Sequence, residues 1–156
     1  MRLAALENIS KQKLAQKIAG ATLVPLEESP DAVFLRSSLL DATTIGESVA
    51  AICRAGVGVD NIPVDWCSAR GIVVLNAPGA NANAVKELVV TALGMASRNI
   101  PHVLGAAPRW RTKKIEEMKR AYIGTELNGK GLLIIGLGAV GRLVARACHD
   151  LGMKVY

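Results

Sequence analysis

The stretch GLLIIGLGAVGRLVARACHDLGMKVY, residues 131–156, decides the fold. It has the G-x-G-x-x-G spacing at Gly136, Gly138 and Gly141, which is weak evidence by itself. The spacing gains weight because a short buried strand is predicted before it, over Leu132–Ile135, and a helix after it, over Arg142–Leu151. A second strand begins at Met153. This order of strand, glycine turn, helix and strand predicts the first βαβ unit of a Rossmann domain.

Each glycine of the turn has a physical role in such a unit. Gly136 permits the tight turn, Gly138 lets the backbone approach a pyrophosphate, and Gly141 lets the helix pack closely against the strand. The phosphates would bind the N–H groups of Ala139 and Val140, at the positive end of the helix dipole. These five residues are the predicted cofactor-binding site. The alternative is a glycine-rich turn that binds no nucleotide.

The choice of cofactor depends on an acidic residue that binds the adenosine ribose, about 20 residues beyond the first glycines. The sequence reaches Tyr156 at about that point. NAD is the expected cofactor, and no residue present decides between NAD and NADP.

Residues 1–72 alternate short apolar runs with amphipathic segments, which is typical of a parallel sheet covered by helices. A buried strand is predicted over Ala32–Leu35, followed at its carboxyl end by Arg36 and Ser37. Because ligands of open α/β sheets bind outside the carboxyl ends of the strands, Arg36 is placed to meet an anion. A surface ion pair of Arg36 with Asp31 or Asp41 is an equally good interpretation.

Two glycines follow the next predicted strand, Ala50–Arg54. Gly56 and Gly58 either turn backbone N–H groups toward a bound anion or serve a tight turn alone. The Asp60-Asn61 pair is predicted to cap a helix that begins near Pro63.

A long helix is predicted over Ala84–Ser97, capped by Asn81 or Asn83. Its apolar residues recur with a 3.6-residue period, which predicts one broad buried face. That face comprises Val85, Leu88, Val89, Ala92, Leu93 and Ala96. The pattern breaks near Asn99, and we place the domain boundary there, between residues 1–98 and residues 99–156.

Composition excludes several classes of protein. Hydrophobic residues make up 51% of the chain, enough for a packed core. Charged residues interrupt every apolar run before the roughly 18 positions that a membrane helix needs, and the N-terminus lacks the apolar core of a secretory signal. We therefore expect a cytoplasmic protein without membrane contact. The cysteines and histidines lack metal-ligand spacing, so no metal site is expected; they are Cys53, Cys67, Cys148, His102 and His149.

The net charge of +6 comes largely from one run, RWRTKKIEEMKR at residues 109–120, in which six basic residues against two acidic ones leave +4. The run lacks aromatic residues at stacking intervals and a helix-turn-helix pattern, so a solvated face is favoured over a nucleic-acid site. An anionic small-molecule substrate would suit the positive charge equally well.

Five motifs occur in order: Arg36-Ser37, RAGVGVDN at 54–61, NAPGANANAVKEL at 76–88, GTELNGK at 124–130 and the glycine fingerprint. Together they resemble the D-isomer-specific 2-hydroxyacid dehydrogenases, most of all the phosphoglycerate dehydrogenase branch. The resemblance runs from about Ala32 onward. It implies an α/β protein with a flavodoxin-like substrate domain, followed by the first βαβ unit of a Rossmann NAD-binding domain that is cut short. It also implies a homodimer.

The resemblance assigns substrate contacts by position. Arg36 and Ser37 match residues at the substrate's phosphate or carboxylate, Val57 and Gly58 match backbone that contacts substrate and nicotinamide, and Asn81 matches a polar residue in the cleft. One departure concerns the cofactor site: Ala139 stands where many relatives have a larger polar or basic residue, which leaves only the backbone contact there.

The implied activity is oxidation of 3-phospho-D-glycerate, or a related 2-hydroxy acid, with NAD in serine biosynthesis. In the family an Arg, a His and a Glu downstream of the fingerprint carry hydride transfer, and this chain has no matching positions. No catalytic residue is therefore assigned, and the 156 residues are expected to be an inactive fragment of the enzyme. The alternative is a non-catalytic, dinucleotide-responsive binding protein similar to the family's corepressors, supported by the basic run.

Overall fold

The computed structural model describes residues 1–7, 9–106 and 115–156. Its contacts divide the chain into two compact units, Met1–Ala80 and Asn81–Tyr156. The domain boundary expected between residues 98 and 99 stays a prediction. Among the described residues, no helix is both long enough and apolar enough to cross a membrane.

The described residues of the first unit form a parallel sheet of five strands with two α-helices. The strands are β1 (Arg2–Ala5), β2 (Thr22–Leu23), β3 (Ala32–Leu35), β4 (Ala51–Arg54) and β5 (Val73–Leu75), and the helices are α1 (Lys11–Lys17) and α2 (Val64–Ala69). The strand order is β2-β1-β3-β4-β5, which is the flavodoxin-like order. The predicted fold of this part of the chain is confirmed.

The core of this unit follows from the position of β3 in the middle of the sheet. Ala32, Val33 and Leu35 are buried, as expected for a parallel strand covered on both faces. The helix α1 begins at Lys11, because the Ser10 hydroxyl accepts a hydrogen bond from the Lys13 N–H at 3.3 Å. Other core residues come from the neighbouring strands and from the segments around the sheet: Ala4 and Ile52 lie in β1 and β4, and Leu40, Ile45, Val49, Ile62, Cys67 and Ile72 lie outside the strands.

The second unit contains the predicted βαβ arrangement. Its elements are α3 (Ala82–Ser97), α4 (Ile100–Ala106), α5 (Ile115–Ala121), β6 (Gly131–Leu132), α6 (Ala139–Asp150) and β7 (Lys154–Val155). The strands β6 and β7 pair in parallel, with Gly131 opposite Lys154, and α6 connects them. The Rossmann-type unit expected from the glycine spacing is therefore confirmed as a fold.

The burial predicted for α3 was too broad. Val89 and Leu93 pack against the cluster of Val144 and Cys148 on α6. Leu88 is 68% exposed, and Ala92 and Ala96 are exposed as well. Val89 and Leu93 lie on the side of α3 that packs into the α6 cluster, and Leu88 lies on another side of the helix.

The strand predicted over Leu132–Ile135 was also expected to be buried throughout. Leu132 and Ile134 pack into the α6 cluster, whereas Leu133 and Ile135 are 71% and 94% exposed. Successive side chains of a strand point to opposite faces, and α6 covers one face only. The strand itself is shorter than predicted, since β6 ends at Leu132, and the exposed side of the segment that follows it is apolar.

Candidate functional site

The carboxyl edge of the five-stranded sheet brings two loops together. Residues 36–40 follow β3 and residues 55–61 follow β4, and the two strands pair with Leu35 opposite Arg54. The loops are therefore neighbours, as parallel pairing requires. This edge is where an open α/β sheet binds its ligands.

Arg54 is a residue of this edge that the sequence did not single out. Its Nε atom donates a hydrogen bond to the carbonyl oxygen of Arg36 at 3.0 Å. Its Nη1 atom lies 2.6 Å from where a Cβ at Gly56 would stand and 3.6 Å from where one at Gly58 would stand. The glycines therefore leave room for the guanidinium above the turn. The available signal was that Arg54 ends a strand at the same edge as Arg36.

Asn61 ties the two loops together, which corrects its predicted role as a helix cap. Its Nδ2 atom donates to the carbonyl oxygens of Ser38 at 2.7 Å and Arg36 at 3.4 Å. The N-cap of α2 is Pro63, with no side-chain cap from either Asp60 or Asn61. The amide is drawn away from the helix because the loop carbonyls need donors.

The segment after β5 holds the glycine turn that follows β4 by hydrogen bonds to its carbonyl groups. Asn76 Nδ2 donates to the carbonyl oxygen of Val57 at 2.7 Å, and Ala77 N–H donates to the carbonyl oxygen of Gly56 at 2.9 Å. The Asp60 carboxylate also approaches the turn, since its Oδ1 atom lies 2.8 Å from where a Cβ at Gly58 would stand. Two of the turn's carbonyls are thereby fixed.

Glu7 contacts the same edge from the loop after β1. Its Oε1 and Oε2 atoms accept hydrogen bonds from the Ser37 N–H at 3.0 and 2.9 Å. The pKa of the Glu7 carboxyl lies below its usual value of 4.5, first because of a hydrogen bond from the Ser38 hydroxyl and then because of the one from the Ser37 N–H. The positive charges of Arg36 and Arg54 lower this pKa more weakly. The carboxylate therefore stays charged at neutral pH beside two guanidiniums.

The structure brings four of the five predicted substrate residues to this edge: Arg36, Ser37, Val57 and Gly58. Arg36 and Ser37 are exposed, and Val57 is 55% exposed. The surface partners considered for Arg36 bind elsewhere: Asp31 accepts from the Arg2 N–H at 2.6 Å, and Asp41 accepts from the Thr43 N–H at 2.8 Å. The role of Arg36, Ser37, Val57 and Gly58 in binding substrate stays a prediction.

Asn81, the fifth, lies in the second unit at the N-cap of α3. Its side chain makes no capping hydrogen bond, and its carbonyl oxygen accepts from the Val85 N–H at 3.0 Å. The other predicted cap, Asn83, donates instead to the Glu87 carboxylate at 2.7 Å. The exposed Asn81 amide is left for other contacts.

The glycine turn of the second unit has the geometry that a pyrophosphate site needs. Gly136 has φ +97°, a conformation that side chains other than glycine's rarely adopt. A Cβ at Gly141 would collide with the Gly136 carbonyl oxygen and lie 3.5 Å from Ile134 Cγ2. The helix α6 therefore packs against the strand and the turn through Gly141.

Gly138 is required by neither backbone angle nor packing. Its φ is −75°, and a Cβ there would meet nothing within 4 Å. A glycine is acceptable at a helix N-cap, and here it also leaves room for a ligand close to the backbone. The N–H groups of Ala139 and Val140, in the first turn of α6, have no partner within the helix. These features fit a dinucleotide's pyrophosphate, and the five cofactor contacts stay predictions.

The histidine and cysteine side chains differ in their exposure. His102 and His149 are exposed. Cys67 and Cys148 are buried free thiols, Cys53 is a half-buried one, and burial raises the pKa of all three. No group of three metal-ligating side chains occurs among the described residues.

The first half of the basic run at residues 109–120 falls outside the described part of the chain, which omits residues 107–114. The described part lies in α5, where Lys119 pairs with Glu116 at 2.6 Å on an exposed face. The interpretation of the run as a solvated face, and the alternative of a corepressor-like protein that it supported, both stay predictions.

A family model described as "D-isomer specific 2-hydroxyacid dehydrogenase, catalytic domain" matches residues 3–149. Among curated proteins, the chain is 34% identical to the D-3-phosphoglycerate dehydrogenase of Methanocaldococcus jannaschii over 153 residues, which are 96% of this chain and 28% of the relative. It is 39% identical to the enzyme of that name from Archaeoglobus fulgidus over 130 residues, 80% of this chain and 23% of the relative. The chain thus spans less than a third of the length of these relatives.

Among solved structures, the chain is similar to the NAD+-bound 3-phosphoglycerate dehydrogenase of Entamoeba histolytica. The TM-score is 0.71 and the identity 28%, over 99% of this chain and 52% of that chain. The likeness therefore covers both units of this chain and about half of the solved one.

Proposed function

The chain belongs to the D-isomer-specific 2-hydroxyacid dehydrogenases, and on that premise we propose that the protein containing it oxidises 3-phospho-D-glycerate with NAD. The observation that carries the proposal is that Arg36 and Arg54 lie together at one sheet edge, beside a glycine turn, where the Arg54 side chain donates a hydrogen bond to the Arg36 carbonyl oxygen. The reaction would belong to serine biosynthesis.

The substrate would bind at the edge through its negative charges. A phosphorylated hydroxy acid carries a phosphate and a carboxylate, and guanidinium groups bind both through paired hydrogen bonds. Arg36 and Arg54 supply such groups, and the Ser37 hydroxyl supplies a further donor. The turn at Val57 and Gly58, fixed by Asn76, would supply backbone contacts.

NAD would bind at the glycine turn of the second unit. The positive end of the α6 dipole and the N–H groups of Ala139 and Val140 suit a pyrophosphate, and the missing side chain of Gly138 leaves space for it. When bound, NAD supplies a nicotinamide that accepts hydride from the hydroxyl-bearing carbon of the substrate.

The proton of the substrate hydroxyl needs a base, and the chain's histidines are poorly placed to serve. His149 lies ten residues beyond Ala139 on α6, about 15 Å along the helix from the phosphate-binding end at 1.5 Å per residue. His102 lies on the separate helix α4. We therefore expect these 156 residues to bind ligands without turning them over.

Two further properties belong to the same proposal. Three free cysteines suit the reducing cytoplasm, and the family resemblance supports a homodimer. Light scattering on the longest natural polypeptide that contains the chain measures the second property, and a monomer would reject it.

The direct test of function is a hydride-transfer assay on that polypeptide, following NADH absorbance. We expect 3-phospho-D-glycerate to give the highest kcat/KM, above D-glycerate and D-lactate. Preference for an unphosphorylated acid would reject the substrate and keep the reaction type. Absence of NADH formation with any of the three would reject the function.

A further inference from the structure

We infer that Glu7 is a positioning residue of the substrate edge: its carboxylate fixes the loop at Arg36–Ser38 so that the Arg36 side chain is presented to an anion. The inference rests on the proposed function, because it takes the edge to bind an anionic substrate. Glu7 belongs to none of the motifs that carry the family resemblance.

The contact joins residues that are 30 positions apart in the chain, Glu7 and Ser37. It forms because β1 and β3 are neighbours, with Ala5 opposite Phe34. The ladder continues one step beyond β1, where the Leu6 N–H donates to the Phe34 carbonyl oxygen at 2.8 Å. The pairing therefore delivers the next side chain, Glu7, to the backbone that leaves β3.

The backbone of Glu7 adopts an unusual conformation to make this contact. Its φ is +51°, in the left-handed region that residues other than glycine enter only in a small fraction of cases. Such a conformation persists when surrounding contacts over-determine it. Both carboxylate oxygens accept from the Ser37 N–H, and the Ser38 hydroxyl donates to the same group. These bonds hold a side chain that is otherwise exposed.

The loop after β3 is thereby tied from three sides. Glu7 binds the Ser37 N–H, Arg54 binds the Arg36 carbonyl oxygen at 3.0 Å, and Asn61 binds the Ser38 carbonyl oxygen at 2.7 Å. Because Glu7 takes the Ser37 N–H, a ligand meets the side chains of Arg36 and Ser37 rather than that backbone group. The three ties set the direction in which those side chains leave the loop.

The charge of Glu7 matters as well as its hydrogen bonds. Arg36 and Arg54 both stabilise the ionised carboxylate, so the carboxylate in turn offsets the repulsion between the two guanidiniums.

A carboxylate near an anion site also repels the anion, and the two effects predict opposite results. The repulsion acts through water and is screened by salt, whereas the hydrogen bonds to the loop are direct. We therefore expect loss of the charge to weaken substrate binding.

The test uses the whole chain, labelled with ¹⁵N, and the amide of Ser37 as its reporter. In the wild type this amide should titrate with the Glu7 carboxylate, at a pKa below 4.5, and the Glu7→Gln variant should abolish that titration. At pH 7, Glu7→Gln should weaken 3-phosphoglycerate binding by roughly threefold to tenfold, the range for the net contribution of one ordinary hydrogen bond. Glu7→Asp should restore most of the affinity, and the control Glu27→Gln, at another exposed carboxylate, should leave it unchanged.

The outcomes separate this inference from the proposed function. Equal or tighter binding of 3-phosphoglycerate by Glu7→Gln would overturn the role of Glu7, and so would a Ser37 amide shift that does not change with pH. Neither result would affect the proposed substrate. A wild-type chain that gives no response to 3-phosphoglycerate would reject the proposed substrate, and the role of Glu7 with it. If Glu7→Gln does not fold, the titration of the Ser37 amide in the wild type tests whether the contact exists. The affinity of Glu7→Asp for 3-phosphoglycerate then tests the role of the carboxylate, because this variant keeps the charge: wild-type affinity supports the role, and complete loss of affinity in a folded variant contradicts it.

Discussion

The Nε atom of Arg54 donates a hydrogen bond to the carbonyl oxygen of Arg36 at 3.0 Å. One guanidinium thereby joins the ends of two neighbouring strands and lies above the glycines of the adjoining turn. The same group thus shapes the sheet edge and adds positive charge to it, which links the fold of the first unit to its proposed binding of an anion.

Replacement of Arg54 by Lys should weaken the binding of 3-phosphoglycerate by about tenfold, or about 1.4 kcal/mol. Lysine keeps the charge and loses the planar fork and the Nε donor. Calorimetry on the purified chain measures the change. The matched control is Arg70→Lys, because Arg70 stacks on Trp66 at 4.0 Å and precedes β5 at the amino end of the sheet. Equal losses in both variants would contradict the role of Arg54.

The glycines of the pyrophosphate turn should respond differently to alanine. Gly138→Ala should change the free energy of unfolding by less than about 0.5 kcal/mol, since its Cβ enters open space, and should weaken NAD binding. Gly141→Ala should destabilise the chain by about 1–3 kcal/mol, because its Cβ meets the Gly136 carbonyl oxygen. Urea unfolding and NAD titration separate the two effects. An intact NAD affinity in Gly138→Ala would count against the proposed approach of the pyrophosphate.

Gly124, in the GTELNGK motif, should prove a packing residue. A Cβ there would lie 2.5 Å from the Arg98 Cα and 2.6 Å from the Ser97 carbonyl oxygen, so Gly124→Ala should cost about 1–3 kcal/mol of stability. The matched control is Gly94→Ala inside α3, which meets nothing within 4 Å and should stabilise by up to about 1 kcal/mol. Thermal unfolding of the two variants measures both changes in stability. A stabilised Gly124→Ala would contradict the close approach of Gly124 to Ser97 and Arg98.

Acid should destabilise the first unit through Glu7 and Asp41. Hydrogen bonds from the Thr43 N–H and hydroxyl lower the pKa of Asp41 from its usual 3.8, and the Ser38 and Ser37 bonds lower that of Glu7 from 4.5. A carboxyl with a depressed pKa in the folded state stabilises above its unfolded pKa, and loses that contribution as pH falls through its folded pKa. The urea concentration at the midpoint of unfolding should therefore fall as the pH is lowered below about 4.5, and it should fall less steeply in Glu7→Gln. An identical acid slope in that variant would contradict the contact.

Much of the fold could be predicted because its signals are local. The strand β3 and the glycine turn each depend on residues within one segment, and the structure has both. The extent of α3 was also predicted to within two residues at its start. Its buried face was not, because helical periodicity shows which residues share a side and not which neighbour covers that side.

The contacts at the candidate site could not be predicted in this way. Glu7 reaches Ser37 across 30 positions, and Asn61 reaches Ser38 across 23. Both contacts depend on the order β1-β3-β4 and on the register of those strands, which no short pattern specifies. For the same reason Asn61, by type a good N-cap, was assigned to the nearby helix and instead binds a loop from a neighbouring strand.

The central claim, that one chain carries both a pyrophosphate turn and an anionic-substrate edge, is tested most directly by a two-ligand NMR titration of the 156 residues. NAD should shift the amides of Ala139, Val140 and Gly141 in a saturable manner, and 3-phosphoglycerate should shift those of Ser37 and Gly58. Responses confined to other residues, or none from either ligand at millimolar concentration, would contradict the account.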